Sequence, residues 1–204
     1  MTKSRRRSAS SAPPSVAIGS VRIIGGRLRG SRLPVPNRPG LRPSSDRVRE
    51  TLFNWLQHEL TGARVADLFA GSGCLALEAL SRGAAYALAV ERDAELAEQL
   101  RAQGQRLGVA ERLDVRCADA GALLPLAGQQ VDLIFLDPPF QAELWQVALQ
   151  AAERWAKPEA WIYLESPREL ALDLPPHWQL HRQGQTRDVR FALYRRGQAG
   201  AGAE

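Results

Sequence analysis

A carboxylate, two prolines and an aromatic ring follow one another at Asp137, Pro138, Pro139 and Phe140. They come directly after residues 131–136 (VDLIFL), whose length and apolar composition predict a buried β-strand. Because neither proline can continue a helix or donate a hydrogen bond to a sheet, the turn is stiff and its carbonyl groups stay free. Such a turn suits a planar ligand that bears an amine, for example a nucleobase. The alternative is an ordinary proline turn that closes a strand.

A second predicted strand, residues 64–69, runs into a glycine turn that contains Gly71 and Gly73, and the residues after it have helical spacing. Glycines let a ligand approach the backbone, and a helix N-terminus offers unpaired N–H donors. This arrangement is therefore typical of a nucleotide-type cofactor site. The next predicted strand, 85–90, ends at Glu91, 20 positions after Gly71, where a ribose-binding carboxylate is expected.

The glycine turn leaves two cofactor classes open. Residues 71–76 fit the G-x-G-x-x-A pattern of a dinucleotide dehydrogenase. Asp67, however, places a carboxylate beside the turn, where it would repel a pyrophosphate and attract a cationic ligand. The turn also follows more than 60 residues of basic sequence, and a dehydrogenase would give the motif at Asp137 no role. We therefore favour a cationic cofactor.

Strands and helices alternate through the body of the chain, which predicts a parallel sheet with helices on both faces. The predicted strands are 64–69, 85–90, 112–117, 131–136, 159–165, 177–183 and 189–195, and the predicted helices are 46–59, 73–82, 93–107 and 142–155. The last two strands are expected to form a hairpin around Gly184. Four acidic residues then fall at or just beyond strand ends: Asp67, Glu91, Asp119 and Asp137. Ligands bind at this edge of such sheets, and four like charges there would be costly without a function.

Positive charge is concentrated at the start of the chain. Residues 1–49 contain 12 Lys and Arg and one acidic residue, whereas residues 50–204 contain 15 Lys and Arg and 21 acidic residues. Nearly all of the early charge is arginine, whose planar guanidinium binds phosphate with two hydrogen bonds and stacks on bases. Charge of one sign in one segment is the pattern expected of a nucleic-acid contact. The alternative is a solubilising surface.

We divide the chain into four parts: a disordered basic arm (1–20), a basic hairpin and loop (21–49), a catalytic domain (50–197) and a flexible tail (198–204). The hairpin is expected to turn at Gly25 and Gly26, and residues 34–43 are expected to form an irregular loop. Ser45 or Asp46 is expected to cap the helix that follows.

Composition argues against several classes of protein. Cys74 and Cys117 form no C-x-x-C pair, which argues against a zinc site or a disulfide framework. His177 and His181 have metal-like spacing but no cysteine or third histidine beside them, so we expect no metal. No apolar run reaches the ~18–20 residues of a membrane span, and no apolar segment follows the first arginines, so we expect a cytoplasmic protein.

Four stretches resemble a known enzyme family. Residues 67–73 (DLFAGSG) resemble the S-adenosylmethionine-binding loop of class I methyltransferases, and residues 137–140 (DPPF) resemble the (Asp/Asn)-Pro-Pro-(Tyr/Phe) signature of those that methylate exocyclic amines. Residues 21–27 (VRIIGGR) and 42–56 (RPSSDRVRETLFNWL) are similar to the bacterial 16S ribosomal RNA guanine-N2 methyltransferase family. The resemblance spans about residues 21–196. It implies an α/β Rossmann-like fold with a mostly parallel seven-stranded sheet, a C-terminal antiparallel hairpin and a small basic N-terminal extension.

The resemblance implies S-adenosyl-L-methionine as cofactor. Asp67 and the backbone of residues 71–73 would hold its methionine end, Glu91 its ribose hydroxyls and Asp119 its adenine amine. Further cofactor contacts are implied at Phe69, Ala70, Arg92, Ala118 and Asp137. For each of the carboxylates Asp67, Glu91 and Asp119, a helix cap or a plain surface position is the alternative.

The resemblance also implies how the acceptor amine is held. Asp137 and the carbonyl of Pro138 would accept hydrogen bonds from its two N–H groups and stabilise the positive charge that develops on nitrogen. Pro139 completes the stiff turn, and Phe140 would stack on the base, a contact typically worth ~1–3 kcal/mol. Because the base must leave its stack, loop or partly unfolded RNA suits better than an intact duplex.

The implied substrate is a guanine of 16S ribosomal RNA, within the small subunit or an assembly intermediate, and we expect a monomer. The expected RNA contacts are Arg22, Arg27, Arg29, Arg32, Arg42, Arg47 and Arg49. We expect Arg47 to face the site and Arg49 to face phosphate, or the reverse; for either, a salt bridge to a local acid is the alternative. Three other functions stay open: an adenine-N6 methyltransferase, a protein-glutamine methyltransferase, and a non-catalytic RNA-binding assembly factor on the same scaffold.

Overall fold

The computed structural model describes residues 17–36, 45–123, 130–140 and 144–197 of the chain. A two-stranded hairpin, β1 (Ala17–Arg22) and β2 (Arg32–Pro36), precedes helix α1 (Asp46–Trp55). The other elements, in chain order, are β3 (Arg64–Asp67), α2 (Cys74–Ser81), β4 (Tyr86–Glu91), α3 (Ala94–Arg106), a 3-10 turn (Ala110–Arg112), β5 (Leu113–Cys117), β6 (Val131–Leu136), α4 (Trp145–Trp155), β7 (Ala156–Pro167), β8 (Trp178–Gln185) and β9 (Val189–Arg196).

The seven strands after α1 form one sheet in the order β5-β4-β3-β6-β7-β9-β8. Strands β3 to β7 are parallel, whereas β9 runs antiparallel to both β7 and β8. The predicted α/β fold with a C-terminal antiparallel hairpin is confirmed. Strands β4 and β5 are added on one side of β3, and β6 and β7 on the other. The boundary between β3 and β6 is therefore the switch point of the sheet, where ligands bind in sheets of this kind.

The central parallel strands β3, β4 and β6 are mostly buried, because both faces of the sheet are covered there. On one face, Phe135 and Tyr163 pack with α1, α2 and the N-terminal hairpin, and the rings of Phe53 and Phe135 lie 6.0 Å apart. On the other face, Ile134 and Leu136 pack against α4. The acidic residues at strand ends are therefore carried on a rigid core.

The N-terminal hairpin forms as predicted, with Arg22 opposite Arg32 at the last pair of the ladder. Its first strand begins at Ala17, within the predicted disordered arm. The prediction of an irregular loop over residues 34–43 is wrong at its start, because residues 34–36 belong to β2. Strand β2 pairs on one side only, so a proline in it can face the open edge without breaking a ladder hydrogen bond. The rest of that loop, the arm before residue 17 and the tail from residue 198 lie outside the described residues.

Two turn assignments can be compared with the structure. Ser45 caps α1, since its side-chain oxygen accepts a hydrogen bond from the Val48 N–H at 3.3 Å. Gly184, in contrast, is not the turn of the last hairpin: it lies within β8, and the strands turn at residues 186–188. A Cβ on Gly184 would lie 2.3 Å from the ring of Phe191, so packing against that ring is what requires glycine here.

None of the helices in the described ranges is long and apolar enough to cross a membrane.

Candidate active site

The glycine turn after β3 is fixed by both backbone conformation and packing. Gly71 and Gly73 have φ angles of 51° and 75°, in the left-handed region that favours glycine. A Cβ on Gly73 would lie 2.2 Å from Leu100 of α3. Ala70 donates its N–H to the Val90 carbonyl at 2.9 Å, and Gly73 donates to Ala70 at 2.7 Å. The turn is therefore held tightly between β4 and α3, at the start of α2.

Glu91, at the end of β4, is bonded directly to the glycine turn. One of its oxygens accepts from the Gly71 N–H at 2.9 Å, and the other accepts from the Asp93 N–H at 2.8 Å. Each carboxylate oxygen has two lone pairs, so both keep capacity for a ligand hydroxyl. Arg92, the next residue, is exposed.

Asp67, the last residue of β3, is buried beside the same turn, with 1% of its surface exposed. Burial raises the pKa of this carboxyl to about 7, backbone hydrogen bonds from Phe69 and Ala76 oppose the rise, and the charge of Glu91 adds to it. Its Oδ1 has no hydrogen-bond partner among the described residues. An unpaired buried carboxyl oxygen suits a cationic ligand group, so the chemistry of this pocket fits the ammonium group of S-adenosylmethionine.

The end of β5 completes this side of the site. Cys117 lies opposite Glu91 in the β4–β5 ladder, and the Ala118 N–H donates to the Glu91 carbonyl at 3.1 Å. Asp119 is exposed, and its side chain accepts from the Gly121 N–H at 2.8 Å. Asp119 thus caps a turn, which is close to the helix-cap role considered as its alternative. It also follows Ala118, which is bonded to the end of β4.

The Asp137–Phe140 turn follows β6, which has the predicted bounds. Asp67 pairs with Phe135 in the β3–β6 ladder, so Asp67 and Asp137 lie at the same edge of neighbouring parallel strands. Asp137 is half-buried, while Phe140 is 37% exposed. The centroid of its ring lies 5.8 Å from that of Trp145, which is buried. An exposed ring supported by a buried one can serve as a stacking surface.

A buried tyrosine–glutamate pair beside this turn was not predicted. Leu136 pairs with Leu164, which brings Glu165 level with Asp137 on the neighbouring strand. The Tyr163 hydroxyl donates to Glu165 at 2.8 Å, and burial together with the charges of Glu165 and Asp137 raises the pKa of Tyr163 well above its ordinary value. The signal in the sequence was Glu165 itself, a carboxylate that directly follows the apolar run 160–164 (AWIYL).

The predicted RNA-contacting arginines divide into two groups. Five are exposed: Arg22, Arg27, Arg29, Arg32 and Arg47. The assignment of Arg49 to phosphate is wrong, because this side chain is fully buried. Its guanidinium donates to Asp46 at 2.6 Å and to the Arg22 carbonyl at 2.9 Å, so pairing with a local acid, the stated alternative, describes it. Arg42 lies outside the described residues.

The histidines and cysteines form no metal site in the part of the chain that the structure describes. His177 is bonded to Glu153 at 2.8 Å, and His181 packs against the ring of Trp161. Cys74 is buried and Cys117 is exposed, and both are free thiols.

The sheet order, the glycine turn at the switch point and the Asp-Pro-Pro-Phe turn on the neighbouring strand define a class I methyltransferase. Comparison with known proteins gives the same class. Residues 21–195 match the family model described as "Conserved hypothetical protein 95".

"Ribosomal RNA small subunit methyltransferase D" of Escherichia coli strain K12 is 44% identical over 183 residues, which cover 87% of this chain and 91% of that protein. The protein of the same name from Haemophilus influenzae is 41% identical over 183 residues, 87% of this chain and 95% of its own length. The solved structure of yhhF from Escherichia coli superposes with a TM-score of 0.80 and 41% identity, over 88% of this chain and 99% of that one. The chain belongs to this family of methyltransferases, and the family predicted from the sequence is confirmed.

Proposed function

We propose that this enzyme transfers a methyl group from S-adenosyl-L-methionine to the exocyclic N2 amine of a guanine in 16S ribosomal RNA. One observation carries the proposal: Asp67 and Asp137 end neighbouring parallel strands on the two sides of the switch point. Adjacent strands lie about 4.8 Å apart, so a cofactor on the β3 side and a base on the β6 side would meet at the same edge. The name of the relatives, which specifies small-subunit ribosomal RNA, supports the substrate.

The cofactor supplies an electrophilic methyl group on a sulfonium. Asp67 and the backbone of the glycine turn hold its ammonium group, and the orphaned Oδ1 of Asp67 supports this assignment. Glu91 accepts from the ribose hydroxyls, and Asp119 accepts from the adenine amine. The remaining contacts come from residues next to these carboxylates: Phe69, Ala70, Gly71, Gly73, Arg92 and Ala118.

The acceptor side positions the amine and stabilises charge. Asp137 and the carbonyl of Pro138 accept hydrogen bonds from the two N–H groups of the amine. These hydrogen bonds favour a tetrahedral nitrogen and stabilise its developing positive charge. The Pro138–Pro139 bond keeps these acceptors in place, and the exposed ring of Phe140 stacks on the flipped base. Positioning of the base against the cofactor provides the rest of the rate.

The basic N-terminal segment, residues 1–49, binds the RNA backbone, and residues 50–197 carry the catalytic domain. The exposed arginines of the hairpin, with Arg47 and Arg42, supply the phosphate contacts. The enzyme acts as a monomer on the small subunit or on an assembly intermediate.

Incubation with methyl-labelled S-adenosylmethionine tests this function. The substrates are 16S RNA and small subunits from a strain that lacks the modification, with 23S RNA and duplex DNA as controls. We expect label in the small-subunit RNA alone. Label in DNA would favour the adenine-N6 alternative, and cofactor binding without any transfer would favour a non-catalytic assembly factor.

A further inference from the structure

Five hydrogen bonds fasten the loop of the N-terminal hairpin to one turn of α2. Glu78 accepts from the backbone N–H groups of Ile24 and Gly25, at 2.7 and 2.8 Å. Ser81 accepts from the Leu28 N–H through its hydroxyl and from the Arg27 N–H through its carbonyl, both at 2.8 Å, and its hydroxyl donates to the Gly25 carbonyl. The loop is therefore bound by its backbone, and the side chains of Arg27 and Arg29 stay exposed.

Glu78 is the centre of this contact. Its side chain is fully buried, and the two cations beside it are Arg82, whose Nε donates at 2.7 Å, and Arg49, whose guanidinium lies 3.7 Å away. Arg49 also donates to the Arg22 carbonyl at the end of β1. A buried carboxylate is tolerated only when charges and donors of this kind surround it. One side chain thus joins the hairpin, α1 and α2.

Close packing adds a steric constraint. Gly26 has a φ of 73°, and a Cβ on it would lie 2.0 Å from the Ser81 carbonyl oxygen. A Cβ on Gly25 would lie 2.5 Å from the guanidinium of Arg82. At Gly26 the close atom is backbone and φ is positive, so the loop can approach α2 this closely only with glycine there, whereas at Gly25 the flexible Arg82 side chain could move.

The docking helix is also the helix that begins at the glycine turn. Ser81 comes seven residues after Cys74, which corresponds to about 10 Å along the helix axis. The other end of the hairpin reaches the cofactor side, because Pro34 of β2 lines the same cleft as Gly71 and Ser72. The hairpin therefore has a fixed position relative to the cofactor side of the site.

We infer that Glu78 is a positioning residue for the RNA substrate. By docking the hairpin on α2, it holds an arginine platform (Arg22, Arg27, Arg29 and Arg32) at a fixed distance from the methyl-transfer site. The platform binds the sugar–phosphate backbone of the ribosomal RNA beside the target base, and its rigidity reduces the entropy lost on binding. This inference rests on the proposed RNA substrate.

A double-mutant cycle tests this inference. Glu78→Gln keeps the shape of the side chain but replaces one acceptor oxygen with an NH2 group. Arg27→Gln with Arg29→Gln removes two platform charges and leaves the docking bonds in place, because those bonds use backbone atoms. For each variant and for the triple variant, the KM for 16S RNA, the kcat and the Kd of S-adenosylmethionine are measured at two salt concentrations.

We expect Glu78→Gln and the arginine pair each to raise the KM for RNA by about five- to tenfold, with kcat and the cofactor Kd within about twofold of wild type. The triple variant should raise the KM by less than the product of the two separate effects, because Glu78 acts through the platform and only Arg22 and Arg32 of that platform are then left for it to position. Additive effects would overturn the inference, since Glu78 would then act without the arginines. An arginine pair with an unchanged KM would also overturn it, while methylation by that variant would leave the proposed function intact.

Control variants separate docking from general loss of structure. Glu98→Gln removes an exposed partner of Arg101 on α3, and Arg182→Gln with Arg195→Gln removes two exposed arginines from β8 and β9. These changes should leave the KM for RNA unchanged. If Glu78→Gln does not fold, as judged by circular dichroism and thermal unfolding, Ser81→Ala takes its place in the cycle, because it removes two docking bonds and no charge.

Discussion

The two sides of the site are built differently. On the cofactor side, backbone N–H groups fix the turn between β3 and α2: Ala70 donates to the Val90 carbonyl, Gly73 to the Ala70 carbonyl, and Gly71 to the Glu91 side chain. On the acceptor side, the turn after β6 presents side chains, of which Phe140 is 37% exposed. The cofactor side thus combines a turn fixed by hydrogen bonds with carboxylates at strand ends, whereas the acceptor side presents a carboxylate and an exposed aromatic ring. Substitutions on the two sides should therefore separate cofactor binding from methyl transfer.

The largest effect is expected on the acceptor side. Asp137→Ala should lower kcat about 10²- to 10³-fold, because the nitrogen loses a charged acceptor as it becomes positive. The Kd of S-adenosylmethionine, measured by calorimetry, should change by less than about threefold. Asp173→Ala, which removes an exposed carboxylate from the loop between β7 and β8, is the control. Turnover by Asp137→Ala close to wild type would remove Asp137 from the acceptor role.

A pH effect is expected on the cofactor side. The pKa of Asp67 is raised by burial to about 7, whereas in the unfolded chain the carboxyl ionises near its ordinary value of 3.8. Between these values the folded state binds more protons, so the contribution of Asp67 to the free energy of unfolding falls as pH rises from about 4 to about 7. Relative to Asp67→Asn, wild type should lose up to about 4 kcal/mol over this range.

Urea unfolding of both proteins at pH 4.5 and 7.5 measures that difference. Groups that do not interact with Asp67 titrate alike in the two proteins and cancel in the comparison. Parallel pH dependences would show that Asp67 ionises normally in the folded chain and would contradict the raised pKa that burial gives this carboxyl.

A smaller effect is expected from the glycine turn. Gly73→Ala places a Cβ in a left-handed conformation and 2.2 Å from Leu100, so it should destabilise the fold by about 1–3 kcal/mol and raise the cofactor Kd. Gly108→Ala is a matched control: its φ is 66°, with no atom within 4 Å of the added Cβ. Thermal unfolding and calorimetry of the two variants separate backbone strain from the clash. Equal behaviour would mean that packing against Leu100 plays no part.

The smallest effect should come from the stacking ring. Phe140→Ala should lower kcat/KM for RNA about tenfold, in line with the ~1–3 kcal/mol of one base stack, and Phe140→Tyr should restore it. Leu180→Ala removes another exposed apolar side chain, on β8, and should have no effect. If Phe140→Tyr remained as slow as Phe140→Ala, a stacking role would be ruled out.

The sequence predicted best where one local pattern decides the structure. The apolar run at 131–136 and the prolines after it gave β6 and its turn with the correct bounds. Contacts between distant parts of the chain could not be predicted. Glu78 binds backbone groups 53 and 54 residues away, and no periodicity reports such a bond. Arg49 was misassigned for the same reason, because its burial depends on Glu78 and on the Arg22 carbonyl.

The most direct test of the account is the identity of the methylated nucleoside. Small subunits from an unmodified strain are incubated with labelled S-adenosylmethionine and either wild type or Asp137→Ala, and the 16S RNA is then digested and its nucleosides are separated. The two-sided site predicts N2-methylguanosine at a single position with wild type, and at least about 10²-fold slower formation with Asp137→Ala, although that variant still binds the cofactor. N6-methyladenosine, or N2-methylguanosine formed equally by both proteins, would contradict it.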